Sequence, residues 1–340
     1  MSRISASPTP RLMHGLAALL IFLLATSATA ADRAPLSLAS DAWPPFTEKP
    51  GRQRVALELV HKALERAGYE AETSIVEWRV AERGIRDGSF DGSAAIWRTN
   101  ERERQLVFSR PYLENRLILV GRKGSDVSAA RIADLKGKRV AAVVRYAYGA
   151  EFEQASGVLF VGSRSDQDSL DKLLAGDVDY MLVDELVARY LVQYQPDEVG
   201  ANLEIGHKVL ARRPLHFAIR HDVEGAEEIV NAFDEAIHSM LTDGSYAEVL
   251  NMGWVRIDID GDGLDELVTL ADVVGQAPPG SVYDVFGDEP ETPPEKQRVF
   301  IRGSLFEGWD AIPEDVKARG PAGPMDSSIK QGTTAFTLKF

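Results

Sequence analysis

WRTNERERQLVFSRPY, residues Trp97 to Tyr112, is the stretch on which the reading of this chain turns. It sets Arg102 between the apolar strand pattern Ser93-Ala94-Ala95-Ile96 and the Val107-Phe108 pair. A guanidinium fixed at a strand end can grip a carboxylate through two parallel hydrogen bonds. Composition alone points elsewhere: Glu101, Arg102, Glu103 and Arg104 form a charge run, and such runs are usually solvated, mutually screened faces.

The order of the residues favours the first reading. Thr99, Glu101 and Arg102, followed by Phe108-Ser109 and Pro111-Tyr112, resemble the first-lobe signature of the family-3 periplasmic solute-binding proteins. The resemblance implies an α/β chain of the two-lobed, type II binding-protein fold, each lobe a mainly parallel sheet flanked by helices. It also implies that Arg102 holds the carboxylate of a solute, often an amino acid, between the lobes.

Toward the N-terminus the residues give a matching rhythm. Leu36 to Ser40 reads as a strand that Asp41-Ala42-Trp43-Pro44-Pro45-Phe46 must break, because two prolines cannot continue a ladder. Val55, Leu59, Ala63 and Ala67 form a helical stripe ending near Gly68. A strand around Thr73 to Val76, a helix after Trp78 and a strand from Phe90 to Ile96 complete an alternation that predicts a parallel sheet with binding groups at strand C-termini. Trp43 and Trp78 fall just past predicted strands; by residue type they read as core. The resemblance instead makes them walls around the solute, and Trp97 stands where many relatives place Thr or Ser, which narrows the pocket.

Toward the C-terminus, Leu117 to Val120 should leave the first lobe, with Gly121 to Gly124 as the first crossing. Arg139 to Val144 reads as a strand, and Tyr146-Ala147-Tyr148-Gly149 opens a helix. The resemblance leads one to expect Gly-Thr or Gly-Ser at that opening; Arg145-Tyr146-Ala147-Tyr148 replaces it, which points to a different or larger solute contacted by Tyr146. Asp184 closes the apolar strand Asp179 to Val183 and has two readings that stay open. The resemblance makes it the family's acid for a solute amine, and its place makes it a helix N-cap contributing about 1 kcal/mol; the two roles are compatible, because a carboxylate can accept several hydrogen bonds. The chain should cross back between Lys208 and Pro214, and Ile229, Phe233, Ile237 and Leu241 then space a long amphipathic helix. The resemblance ends near Trp254.

Beyond it, Asp258, Asp260 and Asp262 alternate ahead of Gly263, Leu264 and Glu266. Three aspartates so close repel one another unless a cation neutralises them, so we expect a structural calcium held by Asp258, Asp260, Asp262, the Leu264 carbonyl and Glu266. The twelfth place holds Thr269 rather than Glu, so the loop is not that of a full EF-hand, and a solvated acidic turn is the alternative. Glu289 to Glu295 reads as a stiff linker, and Arg298 to Ile301 and Thr333 to Phe340 as β-prone.

The 340 residues, 44% of them hydrophobic, suffice for two core-bearing units and an added piece. A net charge of -14 argues against nucleic acid as a partner. The absence of cysteine excludes disulfides, thiol catalysis and a lipidated cysteine. Arg3, Arg11, the apolar run Leu16 to Ala25 and Ala28-Thr29-Ala30 read as a cleaved signal peptide, which places the chain in the periplasm. The expected division is residues 1–30 signal peptide, 31–120 and 212–254 lobe one, 121–211 lobe two, and 255–340 an extension. The expected role is a monomeric receptor for a small amino-acid-like or carboxylate solute, serving an ABC permease, with no organic cofactor. Two alternatives stay open. One is a lyase of the same fold resembling cyclohexadienyl dehydratase, although none of the six histidines belongs to a catalytic motif. The other is a calcium-dependent interaction module.

Overall fold

Apolar segments of strand length alternate with helical stripes from Leu36 onward, and the chain follows that alternation. The computed structural model describes residues 34–250, 254–259, 263–269, 282–286, 297–301 and 303–318. The expected signal peptide, the 289–295 linker and the 333–340 segment lie outside the described residues.

β1 (Leu36–Ser40) runs into the Trp43 to Thr47 turn, and α1 (Val55–Arg66) buries Val55, Leu59, Val60, Ala63 and Leu64. β2 (Ala71–Ile75), α2 (Trp78–Asp87), β3 (Gly92–Trp97) and the short β4 (Leu106–Phe108) complete the first pass of lobe one. β5 (Leu113–Arg122) leads into the second lobe. That lobe comprises β6 (Arg139–Val143), α3 (Ala150–Glu153), β7 (Leu159–Ser163), α4 (Asp166–Ala175), β8 (Tyr180–Asp184) and α5 (Glu185–Tyr194). β9 (Leu203–Arg220) returns, and α6 (Ala226–Asp243) and α7 (Ser245–Leu250) pack on the first lobe.

Parallel pairs β1/β2, β1/β3, β6/β7 and β6/β8 build the two lobes. The antiparallel strands β5 and β9 join them into one sheet of order β2-β1-β3-β9-β5-β8-β6-β7, with β4 also on β9. β3 approaches β9 so closely that a Cβ on Gly92 would lie 2.0 Å from the Ala218 carbonyl, so no larger residue fits there.

The chain passes from lobe to lobe along β5 and back along β9, which pair from Leu113/Leu215 to Arg122/Leu203, with register shifts around Ile118. Buried backbone must find hydrogen-bond partners, and ladder pairing supplies them where two chain segments cross together. One local expectation is corrected: no helix opens at Tyr146. Arg145 at φ 68° and Gly149 at φ 90° interrupt the backbone, and α3 is one turn starting at Ala150.

The extension is a second sheet. β10 (Trp254–Ile257), β11 (Glu266–Thr269), β12 (Tyr283–Asp284), β13 (Val299–Ile301) and β14 (Ser304–Phe306) take the order β12-β10-β11-β13-β14, and α8 (Glu314–Ala318) follows. Alternate residues serve two faces, as the period of a strand demands. Val255, Ile257, Val268, Tyr283 and Phe300 join the main core, while Trp254, Leu267, Val299, Ile301 and Ile312 form a second one against Trp309 and Val316. From Pro35 the described residues make one compact unit. Tyr283 also donates to the Glu114 carbonyl at 3.3 Å, and the Arg116 guanidinium lies 4.6 Å from its ring centre. Arg116 further donates to the Asp284 carbonyl at 3.1 Å and to Glu185 at 2.8 Å, so it ties β5, α5 and the extension together. Apolar burial and this cation attach the extension among the described residues.

Because the extension shares the main core, it should unfold with it. We expect Tyr283→Ala to destabilise the whole unit by about 3–5 kcal/mol in one urea transition followed by tryptophan fluorescence. An early, separate transition would contradict the shared core.

Candidate functional site

The strand ends of lobe one and the β6–α3 connection of lobe two face each other across a cleft lined by Asp41, Trp43, Trp78, Trp97, Arg102 and Tyr146, among others. Arg102 begins a short 3-10 turn directly after β3, with Thr99 Oγ1 accepting from its backbone N–H at 3.2 Å. Its side chain is only 14% exposed, so the charge has few water partners and must be held by protein. One guanidinium nitrogen donates to the Trp97 carbonyl at 2.7 Å and another lies 3.5 Å from Glu82. The group also lies 5.1 Å from the Trp78 ring centre, a cation–π distance. Burial pulls its pKa down and Glu82 pushes it back up.

Aromatic rings fill most of the space beside it. Trp43 meets Trp97 and Tyr146 edge-on at 5.7 Å, Trp97 meets Tyr146 at 5.5 Å, and Tyr148 adds a further ring 5.7 Å from Trp97. About 30 Å³ is left between them, room for a water or two. Wider grooves flank this point: about 260 Å³ beside Glu82, Thr99, Arg102 and Arg145, and about 500 Å³ beside Asp41, Lys49, Arg79 and Arg164. A solute reaching the rings therefore requires them, or the lobes, to move apart.

Two carboxylates lie beside these rings. Asp41 accepts from the Tyr146 hydroxyl at 3.1 Å, a hydrogen bond that crosses from lobe one to lobe two. Asp166, first residue of α4, takes a hydrogen bond from Trp43. Loss of water pushes its pKa up to about 7, helped by the nearby charges of Asp184 and Asp41. Desolvation raises Asp41 as well, partly offset by its hydrogen bonds. Neither Asp41 nor Asp166 has an ion pair with a described residue.

Trp43, Trp78, Trp97, Arg102 and Tyr146 are thus brought together as the sequence led us to expect. Asp184 does not line that cleft and is 2% exposed. Its oxygens accept from Leu186 N at 2.7 Å, Val187 N at 3.4 Å, Arg116 N at 2.9 Å and Asn115 Nδ2 at 3.2 Å. Asn115 in turn accepts from the Trp97 indole at 2.7 Å. Its contacts make it the cap of α5, and Asn115 links it to the Trp97 indole. Desolvation still pushes Asp184 up to about 7. Sequence reasoning passed over Asp41, Glu82, Arg145 and Asp166 as site residues. Asp41 directly follows β1 and Asp166 follows β7 by two residues, so strand-end acids were the available signal.

None of the described histidines lines these spaces. His61 is 2.8 Å from the Thr73 hydroxyl, and His216 is 2.8 Å from the Ser109 carbonyl. Of the expected calcium ligands, Asp260 and Asp262 lie outside the described residues. Asp258 accepts from Gly263 N at 2.9 Å. Leu264 and Glu266 have another partner: Arg298 donates to the Leu264 carbonyl at 2.9 Å and forms an ion pair with the buried Glu266, which also accepts from Ile259 N at 3.1 Å. Among the described residues no three metal-ligating side chains are gathered around a common point.

With this geometry in view, comparison with known proteins places the chain. Residues 37–255 match the model of the bacterial extracellular solute-binding proteins, family 3, and the chain belongs to that family. It is 28% identical over 162 residues to the L-cystine-binding protein TcyJ of Escherichia coli (strain K12), an alignment spanning 47% of this chain and 58% of that protein. Among solved structures, an ancestral arginine-binding protein bound to arginine matches at TM-score 0.55 and 24% identity over 64% of this chain and 96% of its own. A histidine kinase sensor domain with similarity to periplasmic binding proteins matches equally well, at TM-score 0.55 and 22% identity, over 64% and 94% of the respective chains. These likenesses show the two-lobed fold.

The acids imply a definite pH response. Asp166 and Asp184 bind protons more tightly folded, near pH 7, than their ordinary value of 3.8. Their contribution is therefore complete below about pH 4 and is lost as pH rises through 7. The melting temperature should fall between pH 5 and 7.5, and Asp166→Asn should flatten that slope in calorimetric scans. A slope unchanged in the variant would contradict the shift.

Proposed function

We propose that this protein is a periplasmic receptor that takes a small amino-acid-like solute bearing both a carboxylate and a cationic group, and presents it to an ABC permease. Arg102 receives the carboxylate, Trp43, Trp78, Trp97 and Tyr146 pack the body, and Asp41 with Asp166 faces the positive end. The observation that carries this reading is charge placement. The Arg102 guanidinium, with little exposure to water, lines the same cleft as Asp41, and Asp41 and Asp166, both raised by desolvation, lack an ion pair with any described residue. Withdrawing such charges from water is costly until an opposite charge arrives, so a zwitterionic or cationic guest gains from both signs of charge. The family and the arginine-bound structural relative support the class of guest. The departure at Arg145 to Tyr148 and the indole of Trp97 argue that its shape differs from that of a plain α-amino acid.

Native mass spectrometry of purified protein should find a co-purified solute of this class. In calorimetry with L-arginine, L-lysine, L-cystine and L-glutamate, a cationic member should bind and L-glutamate, whose second carboxylate meets Asp41 and Asp166, should not. Arg102→Ala should weaken binding by about 2–5 kcal/mol, a dissociation constant at least about 30-fold higher. Undiminished affinity in that variant would overturn the assignment of Arg102.

A further inference from the structure

Four basic residues reach the cleft from separate points of the chain. Lys49 follows the proline turn after β1, Arg79 is the second residue of α2, Arg145 follows β6 and Arg164 follows β7. Folding brings all four to the groove of about 500 Å³, where the acids are Asp41 and Glu77. Four cations against two acids is a local excess of positive charge in a chain whose net charge is -14, so composition does not account for it. A concave wall with one sign of charge in excess concentrates the opposite ion.

Their partners leave these cations available. Lys49 and Arg79 make no ion pair with a described residue. Arg164 is 3.8 Å from Asp168, which Lys172 already holds at 2.6 Å, and Arg145 is 3.8 Å from Glu82. Both long contacts exceed the about 2.7–2.9 Å of a charge-assisted hydrogen bond. An independent sign is a donor with nothing to donate to. Trp78 Nε1 is buried and has no acceptor among the described residues, and Trp78 lines both the ring space and this groove. Burying an N–H without an acceptor is costly, so the indole suits a guest rich in acceptor oxygens.

We propose that this groove is a subsite for a second anionic group, so that the solute is double-ended: one carboxylate at Arg102, a cationic centre beside Asp41 and Asp166, and a further carboxylate among Lys49, Arg79, Arg145 and Arg164. Space sets the direction. The ring space holds about 30 Å³, and the groove shares Asp41, Trp78, Arg145 and Tyr146 with it, so a solute too long for the rings continues there. L-Glutamate is too short to carry its second carboxylate past the two acids; a longer solute places that group among the cations. This inference rests on the reading of the cleft proposed above.

Two analogues of L-lysine test it. LL-diaminopimelate is L-lysine with a carboxylate added on its terminal carbon, and Nε-carboxymethyl-L-lysine carries that carboxylate further out while its side-chain nitrogen stays cationic. In calorimetry at low salt, at least one of them should bind about 10-fold tighter than L-lysine, the worth of a hydrogen bond between charged partners. In Lys49→Gln/Arg164→Gln, changed at two exposed positions, that ratio should fall to about one. Lys123→Gln/Arg131→Gln removes the same charge from exposed side chains that do not line the groove and should keep the ratio. Equal affinity for all three ligands, or a ratio that survives in the groove variant, would overturn the subsite. If the ratio behaves as expected but Arg102→Ala binds all three undiminished, the subsite stands and the assignment of Arg102 falls. If Arg102→Ala weakens all three and the analogues show no advantage, the reverse holds. Binding of none of the three would overturn the reading of the cleft and this inference with it.

Discussion

The antiparallel pairing of β5 with β9 is the constraint on which this molecule is built. Two strands that cross from lobe to lobe side by side satisfy each other's backbone groups, so the lobes share one sheet while their parallel portions stay separate. The strand ends of the two lobes are thereby turned toward a common cleft. Asn115 on β5 links Trp97 of lobe one to Asp184 at the start of α5, and Arg116 beside it reaches both Glu185 and the extension.

The cleft it creates is electrostatically unfinished. Arg102 is desolvated but only loosely matched by Glu82, and Asp41 and Asp166 are desolvated with neutral hydrogen-bond partners, Tyr146 and Trp43. A protein core would not tolerate this arrangement without compensation, because unpaired buried charge costs several kcal/mol. In the receptor proposed above, the deficit would be the source of affinity. Stability and function pull in opposite directions here, which is why the acids hold protons more tightly in the folded state.

The extension changes the mechanical setting. Its sheet contributes Val255, Ile257, Tyr283 and Phe300 to the main core and lays Tyr283 and Asp284 against β5, the strand that must flex if the lobes move. Among the described residues its attachment runs through apolar burial and Arg116. At the acidic loop, Arg298 satisfies Leu264 and Glu266, the kind of charge compensation that composition alone leads one to assign to an ion.

Much of this was legible in the sequence, and the reason is locality. The helical stripe of α1, the proline break after β1 and the Thr99, Arg102, Phe108, Tyr112 spacing depend on residues near one another in the chain, so fold class, family and the Arg102 to Trp43 side of the cleft could be read directly. What depends on distant segments could not. The partners that Asp184 finds beyond its own helix, Asn115 and Arg116, arrive from another strand. Whether Glu82 was a surface charge or a cleft group was decided by Arg145, 63 residues away. The pairing of Glu266 was decided by Arg298. A side chain carries its chemistry from the start, but its partner, and hence its charge state and role, exists only once the sheet has folded and water has been removed.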